Sequence, residues 1–469
     1  MVRRGMTGWP VRAVVIGAGV GAILFALYFA LNAWSLTRST PAMLAHVRLA
    51  YQQGQLDGDD YKRGDTDLGE HQFNDCLIIA MATDDRASPA DRRISPSHPF
   101  ADMNRGVCAQ LKTASESGAA GLPIVFYHNY IHGHTMLARL MLPDFRVDQI
   151  RAFYKALLSL VIAAGLVAGL WQVARGRAAG AFWALLFLVF ARWYGLESFG
   201  QSLGHAPADL VTLGYALFLA IASARGGIGP TACVVSAAML GGGTIIFEFL
   251  TGGIPLGFAV LIGGLPLACA DSAQVRRSVI ASVISYGSAI ATCCAVKLAL
   301  VAQTFGWDAI VTVGQRGAQR IAGAPTGEKP LDLGIGLWAS RIWEQMTPLA
   351  PGLYFLTTLM IQIAVVAGIW GFAMLRRAGG KSGDLARYLA LSNLPLLLWF
   401  MALPQHSIVH AWFMTRMLAW TIVTGLALFA LAAFRMHGAR WAGGPTAAHE
   451  KAPPERSGEA MAQPKDPVA

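Results

Sequence analysis

Charged residues are scarce in this sequence. Asp, Glu, Lys and Arg make up 14% of its 469 residues, whereas an average soluble domain carries about 25%. Hydrophobic residues reach 55%, and the mean hydropathy is +0.47. These values exclude an ordinary soluble enzyme, and apolar stretches of bilayer-spanning length recur along the chain. The sequence therefore predicts a multi-pass membrane protein.

Cysteine is also rare, and the six cysteines divide by location. Four fall in apolar stretches, where a thiol behaves as a small apolar group: Cys233, Cys269, Cys293 and Cys294. Cys76 and Cys108 lie in a long polar region. In an oxidising periplasm these two would pair as a disulfide, and two separately buried thiols are the alternative.

A βαβ pattern is missing, although one motif imitates a nucleotide-binding loop. Residues 14–22 read VVIGAGVGA, which fits the G-x-G-x-x-A fingerprint. The apolar run continues to Trp34, and no acidic residue follows at the distance that would bind a ribose. We therefore interpret Gly17 and Gly21 as a small-residue face for close helix packing, and the run as a retained anchor rather than a cleaved signal.

The apolar stretches predict an all-α fold of about ten transmembrane helices. Backbone polar groups must be satisfied within each segment in lipid, and the runs lack the period-two alternation of a barrel. The predicted helices begin near Ala13, Phe153, Phe182, Leu210, Pro230, Ile254, Val279, Gly352, Leu385 and Ala411.

Basic residues indicate the orientation, because Lys and Arg in short loops resist translocation. Every second connection is basic, whereas the short connections near His205, Thr251 and Gln405 contain no Lys or Arg. Both termini should lie inside, and the two long loops outside. The composition, rich in Arg and Ala, suits a bacterial cytoplasmic (inner) membrane with periplasmic loops. The net charge of +10 then reflects topology rather than nucleic-acid binding.

The predicted organisation places function in the polar regions between helices. Just over half of the 27 acidic residues lie in the first long loop. The segments are a cytoplasmic N-terminus (1–12), a first transmembrane helix (13–36), an external loop domain (37–149), transmembrane helices 2 to 7 (150–302), a second external loop (303–351), transmembrane helices 8 to 10 (352–434) and a disordered cytoplasmic tail (435–469).

Ionisable residues within spans are costly unless they are partnered or hydrated, so they are candidates for function. They are Arg192, Glu197, Glu248, Lys297 and Arg416. All but Arg192 fall in the outer part of the predicted bilayer, where they could line one outward-facing cavity. The alternative is a set of ion pairs that hold helices together.

Two histidine pairs lie at the same depth. His128 and His132, and likewise His406 and His410, are spaced i, i+4, so each pair would share a helix face. Zinc is disfavoured because no acid lies within either pair and no cysteine accompanies them. No cofactor is assigned, and binding of a divalent cation is left as an alternative. Hydrogen bonds to a phosphate or a sugar hydroxyl are favoured, with Arg139 and Arg416 as anion clamps. The alternative is a structural role at the membrane interface, where histidine and aromatic side chains are common.

Two further features complete the candidate site. The stretch 248–266 combines an acid, paired glycines and a proline, which predicts irregular backbone in a cavity wall or a tight turn between helices. Asp75 precedes a short apolar run that would dock on the membrane surface. This placement makes Asp75 the preferred general base.

The chain resembles a group of bacterial multi-pass membrane proteins that has no firm function. The residues that match, in order along the chain, are Asn74 and Asp75, residues 130–133 with Arg139, FEFLT at 247–251, Lys297, HSIVH at 406–410, Phe413 and Arg416. The sequence differs from the group at Gln405, Glu248 and Ile131, where the group tends to have Asn, Asp and Trp.

The layout is similar to the GT-C superfamily of integral membrane glycosyltransferases, which use polyprenyl-phosphate-linked sugars as donors. This resemblance implies that Asp75 is the general base on an acceptor hydroxyl, and that Glu248 fixes a cation or a sugar hydroxyl. It further implies that Arg139, Lys297 and Arg416 hold the lipid phosphate. His132, His406 and His410 would orient phosphate or sugar.

The expected function is sugar transfer from a lipid carrier at the external membrane face, with membrane lipid and the lipid-linked sugar as partners. A transporter or flippase of a lipid-linked or anionic solute is the alternative, because charges in the outer half of the bilayer also mark transport pathways. A histidine-dependent acyltransferase is a third interpretation. Neither the sugar nor the oligomeric state follows from the sequence.

Overall fold

The structure is a computed structural model that describes residues 8–60, 72–100, 106–193, 202–248, 250, 252–322, 336, 340, 354–409 and 414–436. The first elements are α1 Trp9–Ser35, α2 Thr40–Gln52, α3 Gln72–Thr83, α4 Pro89–Ile94, β1 Ser97–His98, α5 Val107–Ser117, β2 Val125–Phe126 and α6 Gly133–Met141. They are followed by α7 Val147–Ala174, α8 Ala179–Trp193, α9 Ala206–Ala224, α10 Pro230–Phe247, α11 Gly253–Gly263, α12 Leu265–Ala268, α13 Val275–Phe305 and α14 Trp307–Ala322. The last are α15 Tyr354–Ala378, α16 Gly380–Leu391, α17 Leu394–Ala402, α18 Pro404–Val409, a 3-10 turn Thr415–Leu418 and α19 Ala419–Met436.

The prediction of an all-α polytopic architecture is confirmed. Within the described ranges, eight helical segments are long and apolar enough to cross a membrane. The predicted spans near Phe182 and Ile254 correspond to shorter apolar helices, Ala179–Ala191 and Gly253–Gly263. An 11-residue helix is only about 16 Å long, about half of the hydrocarbon thickness. The count of ten spans therefore stays a prediction.

Helix α1 packs closely on α13 through its glycines. A Cβ atom at Gly17 would lie 2.3 Å from the Ser285 carbonyl oxygen, and one at Gly21 would lie 2.7 Å from that of Ala289. Side chains at these positions would hold the two backbones apart. The interpretation of residues 14–22 as a helix-packing face, rather than a nucleotide loop, is confirmed.

The polar region after α1 is a folded unit of short helices. A disulfide joins Cys76 in α3 to Cys108 in α5, so the predicted pairing is confirmed. The Asp60 carboxylate accepts hydrogen bonds from the backbone N–H groups of Val107 and Cys108, at 2.8 and 2.7 Å, which caps the start of α5. Strands β1 and β2 pair antiparallel and bring Tyr127 beside Pro96.

The expectation that the apolar run after Asp75 docks on the membrane surface is wrong. Residues 74–83 of α3 are all buried, and α3 packs against α5 and α6. Because its apolar side chains are covered on every face by protein, α3 is the centre of the folded unit. It therefore fixes Asp75 inside the protein rather than at a lipid surface.

Candidate functional site

The segment 127–134 forms the middle of the site. His132 has a left-handed backbone, with φ of 69°, and its Nε2 lies 2.8 Å from the Tyr127 carbonyl oxygen. Such a conformation costs a non-glycine residue on the order of 1–3 kcal/mol and tends to occur at functional sites. Gly133 packs against α10, where a Cβ atom would lie 2.6 Å from the Ile246 side chain. Only glycine allows this approach.

The first histidine pair does not share a helix face as the spacing suggested. His128 and His132 both precede α6, because the helix begins only at Gly133. His128 Nδ1 instead lies 2.9 Å from the Ser95 hydroxyl, just after α4. Burial, and then the positive charge of Lys297, lower the pKa of His128 to about 4 and lower that of His132 as well. Both imidazoles are therefore neutral at neutral pH.

Lys297 reaches from α13 to the end of α4. Its ammonium donates to the Ile94 carbonyl oxygen and, at 3.1 Å, to the Ser95 hydroxyl. The side chain is buried. Both partners are neutral, so the positive charge is solvated by dipoles but is not neutralised by them.

Arg139, in α6, is a second buried cation. It is 1% exposed and donates to the Ser35 hydroxyl, at the end of α1, at 3.3 Å. Burial, and then the positive charge of Arg92, lower the pKa of Arg139 to about 9, so the guanidinium remains charged at neutral pH. Lys297 and Arg139 both act electrostatically on His132.

We call Arg92, Arg139 and Lys297 the basic cluster. Among the residues that the structure describes, no carboxylate lies within 4.0 Å of any of the three. Asp84 and Asp85 act on Arg92 from beyond that distance, and Asp84 is paired with Arg86. Buried charges are normally paired, so three cations without a close carboxylate form a site suited to an anion.

A chain of polar contacts links Arg416, His205 and Asn74. Arg416 forms an ion pair with Asp209 and donates to His205 Nδ1 at 3.2 Å. The side-chain amide of Asn74 lies 2.9 Å from His205 Nε2. Arginine only donates, so Nδ1 of a neutral His205 accepts in the contact with Arg416 and its Nε2 carries the proton. His134 acts electrostatically on His205, which connects this chain to the segment.

The break between α10 and α11 contributes the third part of the site. Leu250 and Gly252 have left-handed backbones, with φ of 59° and 99°, so the predicted irregular backbone is confirmed. Glu248 is buried and accepts a hydrogen bond from the Gly252 N–H at 3.2 Å. His406 Nε2 donates to the Leu250 carbonyl oxygen at 3.0 Å, and Arg320 donates to His406 Nδ1 at 2.6 Å.

Tyr130, in the segment 127–134, interacts electrostatically with this third part of the site. Burial raises the pKa of Tyr130, and the charges of Tyr127 and Glu248 add to the increase. The tyrosine is therefore a neutral hydroxyl group, which can donate a hydrogen bond to a bound hydroxyl or phosphate.

Asp75 is held by a network of its own. Arg151 donates to one carboxylate oxygen from Nε at 3.0 Å and from a terminal nitrogen at 2.7 Å. The other oxygen accepts from the Ser202 hydroxyl at 3.0 Å and from the Leu203 N–H at 2.8 Å. All four hydrogen bonds come from protein groups. Asp75 thereby fixes the residues that lead to His205.

The structure brings together most of the residues that the sequence proposed. Six of them belong to the segment 127–134 or interact, by hydrogen bonds or electrostatically, with it or with residues next to it. They are His132, Arg139, Glu248, Lys297, His406 and Arg416. His410 and Glu197 lie outside the described residues, as does the side chain of Arg192.

Sequence reasoning missed five participants: Arg92, His134, His205, Asp209 and Arg320. The i, i+4 spacing of His205 and Asp209 at the start of an apolar stretch was a signal for their pairing with a common cation. For Arg92 there was no signal, because its neighbours in the sequence resemble a solvated turn.

In comparisons with known proteins, no protein-family model, no curated protein and no solved structure matches this chain. The site must therefore be interpreted from its own geometry.

Proposed function

We propose that the protein is a membrane glycosyltransferase that uses a polyprenyl-phosphate-linked sugar at the external face of a bacterial cytoplasmic membrane. The basic cluster is the observation that carries the proposal. Three buried cations without a close carboxylate among the described residues favour a bound anion. Arginine and lysine are the residues that hold phosphate in proteins.

The position of the basic cluster supports a lipid phosphate rather than a free one. Ser35, the partner of Arg139, is the last residue of α1, and Lys297 lies two turns before the end of α13. Both helices are long and apolar enough to cross a membrane, and both begin with basic residues at the opposite end, Arg12 and Arg276. By the positive-inside rule, the cluster lies near the external surface.

Each part of the site then has a role. Lys297, Arg139 and Arg92 bind the phosphate and stabilise the charge that develops on it as the sugar leaves. The neutral His132 and Tyr130 orient phosphate or sugar. The role of Asp75 as general base stays a prediction from the sequence, and its carboxylate accepts hydrogen bonds from Arg151, Ser202 and Leu203. We propose Glu248 as the general base, because it is buried at the break between α10 and α11 and acts electrostatically on Tyr130.

Binding of undecaprenyl phosphate to purified protein in nanodiscs tests the proposal. Lys297→Met removes a cation without leaving a carboxylate behind, whereas Arg416→Ala would leave Asp209 buried and unpaired. We expect saturable binding that weakens roughly 10- to 100-fold in Lys297→Met. The exposed Lys112→Met is the matched control and should bind as the wild type does. No binding by folded wild-type protein would overturn the proposal.

Transport of a lipid-linked or anionic solute is the second candidate. The break at residues 248–252 favours it, because interrupted helices form the substrate sites of many transporters. Proteoliposomes loaded with a labelled lipid-linked sugar distinguish the two candidates. Movement of the intact lipid across the bilayer supports transport, and appearance of the sugar on a water-soluble acceptor supports transfer.

A further inference from the structure

Helix α14 has two faces of opposite chemistry. It follows α13 directly, after Gly306, whose φ is 80°. At about 100° per residue, five small or apolar residues fall within a stripe about 80° wide. They are Trp307, Val311, Gly314, Ala318 and Ile321. Arg316 and Arg320 lie on the opposite side of the same helix.

The apolar face of α14 is exposed in the part of the chain that the structure describes. Trp307 is 71% exposed, Val311 45% and Ile321 55%. The helix has 16 residues, or about 24 Å, which is shorter than a transmembrane helix needs to be. The preceding helix α13 is long and apolar enough to cross a membrane, and it also exposes apolar side chains, among them Ile280 at 39% and Leu298 at 37%. An exposed apolar stripe on a short helix that directly follows such a span is suited to lipid.

The opposite face of α14 is part of the candidate site. Arg316 lies over the Tyr127 ring, 5.5 Å from its centroid, and donates to the Asn129 side-chain oxygen at 3.4 Å. Arg320 donates to His406 Nδ1 at 2.6 Å. Arg316 therefore contacts the segment 127–134 itself and Arg320 contacts His406, while the apolar stripe is exposed.

We propose that α14 lies in the lipid–water interface of the bilayer, with Trp307, Val311 and Ile321 inserted among the lipids. Helices of this kind, with aromatic and aliphatic residues on one face and arginines on the other, bind about 5–10 Å into the headgroup region. The insertion holds Arg316 and Arg320 at headgroup depth over the site. An anionic headgroup approaching from the membrane would pass beneath these two cations.

Spin-label accessibility in nanodiscs tests the placement. A nitroxide is attached at Val311→Cys or Ile321→Cys, in a background whose four free cysteines are replaced by alanine. Asp308→Cys and Thr312→Cys are the matched controls, since both positions are exposed but lie outside the apolar stripe. We expect the ratio of oxygen to nickel-chelate collisions to be several-fold higher at 311 and 321 than at 308 and 312.

Two results would overturn the placement. Equal access of the nickel chelate to all four positions would mean that the helix lies in water. Equal exclusion of the nickel chelate from all four positions would mean that the helix is buried in lipid or protein. Each labelled variant is first shown to unfold at the temperature of its unlabelled background. The measurement uses no substrate. Its failure therefore leaves undecaprenyl phosphate binding untouched, and a failure of binding leaves the lipid contact of α14 intact.

Discussion

Arg151 and Asp75, which are 76 residues apart in the sequence, form a buried ion pair with a closest contact of 2.7 Å. Arg151 belongs to the first turns of α7, and it also donates to the Gln55 carbonyl oxygen at 2.8 Å. The pair therefore ties the folded unit after α1 to α7, which is long and apolar enough to cross a membrane.

Replacing Arg151 should destabilise the protein strongly. Arg151→Ala leaves the Asp75 carboxylate buried without its cation, which typically costs about 3–5 kcal/mol. Thermal unfolding in detergent measures the effect. Arg387→Ala is the matched control, because its partner Asp384 is exposed and such pairs contribute at most about 1 kcal/mol. Equal effects of the two substitutions would contradict a structural role for the buried pair.

Substitutions of the two acids separate their roles in transfer. Glu248→Gln should reduce the rate of sugar transfer by roughly 100-fold or more, in the range expected for loss of a general base. Asp75→Asn should lower stability and reduce the rate to a smaller extent, because Asn cannot pair with Arg151. The reverse order, in protein that unfolds at the wild-type temperature, would restore Asp75 as the base.

The contact between α1 and α13 predicts a contrast between neighbouring glycines. Gly17→Ala places a methyl group 2.3 Å from a backbone oxygen of α13, and we expect a loss of about 1–3 kcal/mol. Gly19→Ala meets nothing within 4 Å and should be neutral or slightly stabilising. Unfolding temperatures in one detergent compare the two variants. A destabilised Gly19→Ala would show that the helix faces are assigned wrongly.

Buried histidines outside the spanning helices should make the protein sensitive to acid. Burial lowers the pKa of His98 to about 4 and that of His134 to about 3, from an ordinary value of 6.5. The unfolded chain therefore binds more protons in this range. The stabilising contribution of each neutral histidine is complete above about pH 6.5 and is lost as the pH falls toward about 4.

Unfolding temperatures measured between about pH 7.5 and pH 4.5 test this dependence. The unfolding temperature should decrease as the pH is lowered. This decrease should be smaller in His98→Asn than in the wild type, whatever the stability of the variant at neutral pH. An identical slope in both proteins would show that His98 does not contribute.

The sequence by itself determined the all-α polytopic architecture and the candidate residues. Apolar run length and the spacing of Gly17 and Gly21 are local properties, so they specify spans and a packing face without knowledge of the fold. Ionisable residues in apolar surroundings are costly wherever they lie. Lys297, Glu248 and Arg416 could therefore be selected from the sequence alone.

Only the tertiary structure decided how these residues are used. Arg416 pairs with Asp209 from 207 positions away, and Asp75 is occupied by Arg151. His128 and His132 lie before a helix rather than on one. Pairing of distant side chains depends on how helices pack, and the energy of a buried charge depends on its neighbours in space. Neither is a function of spacing along the chain.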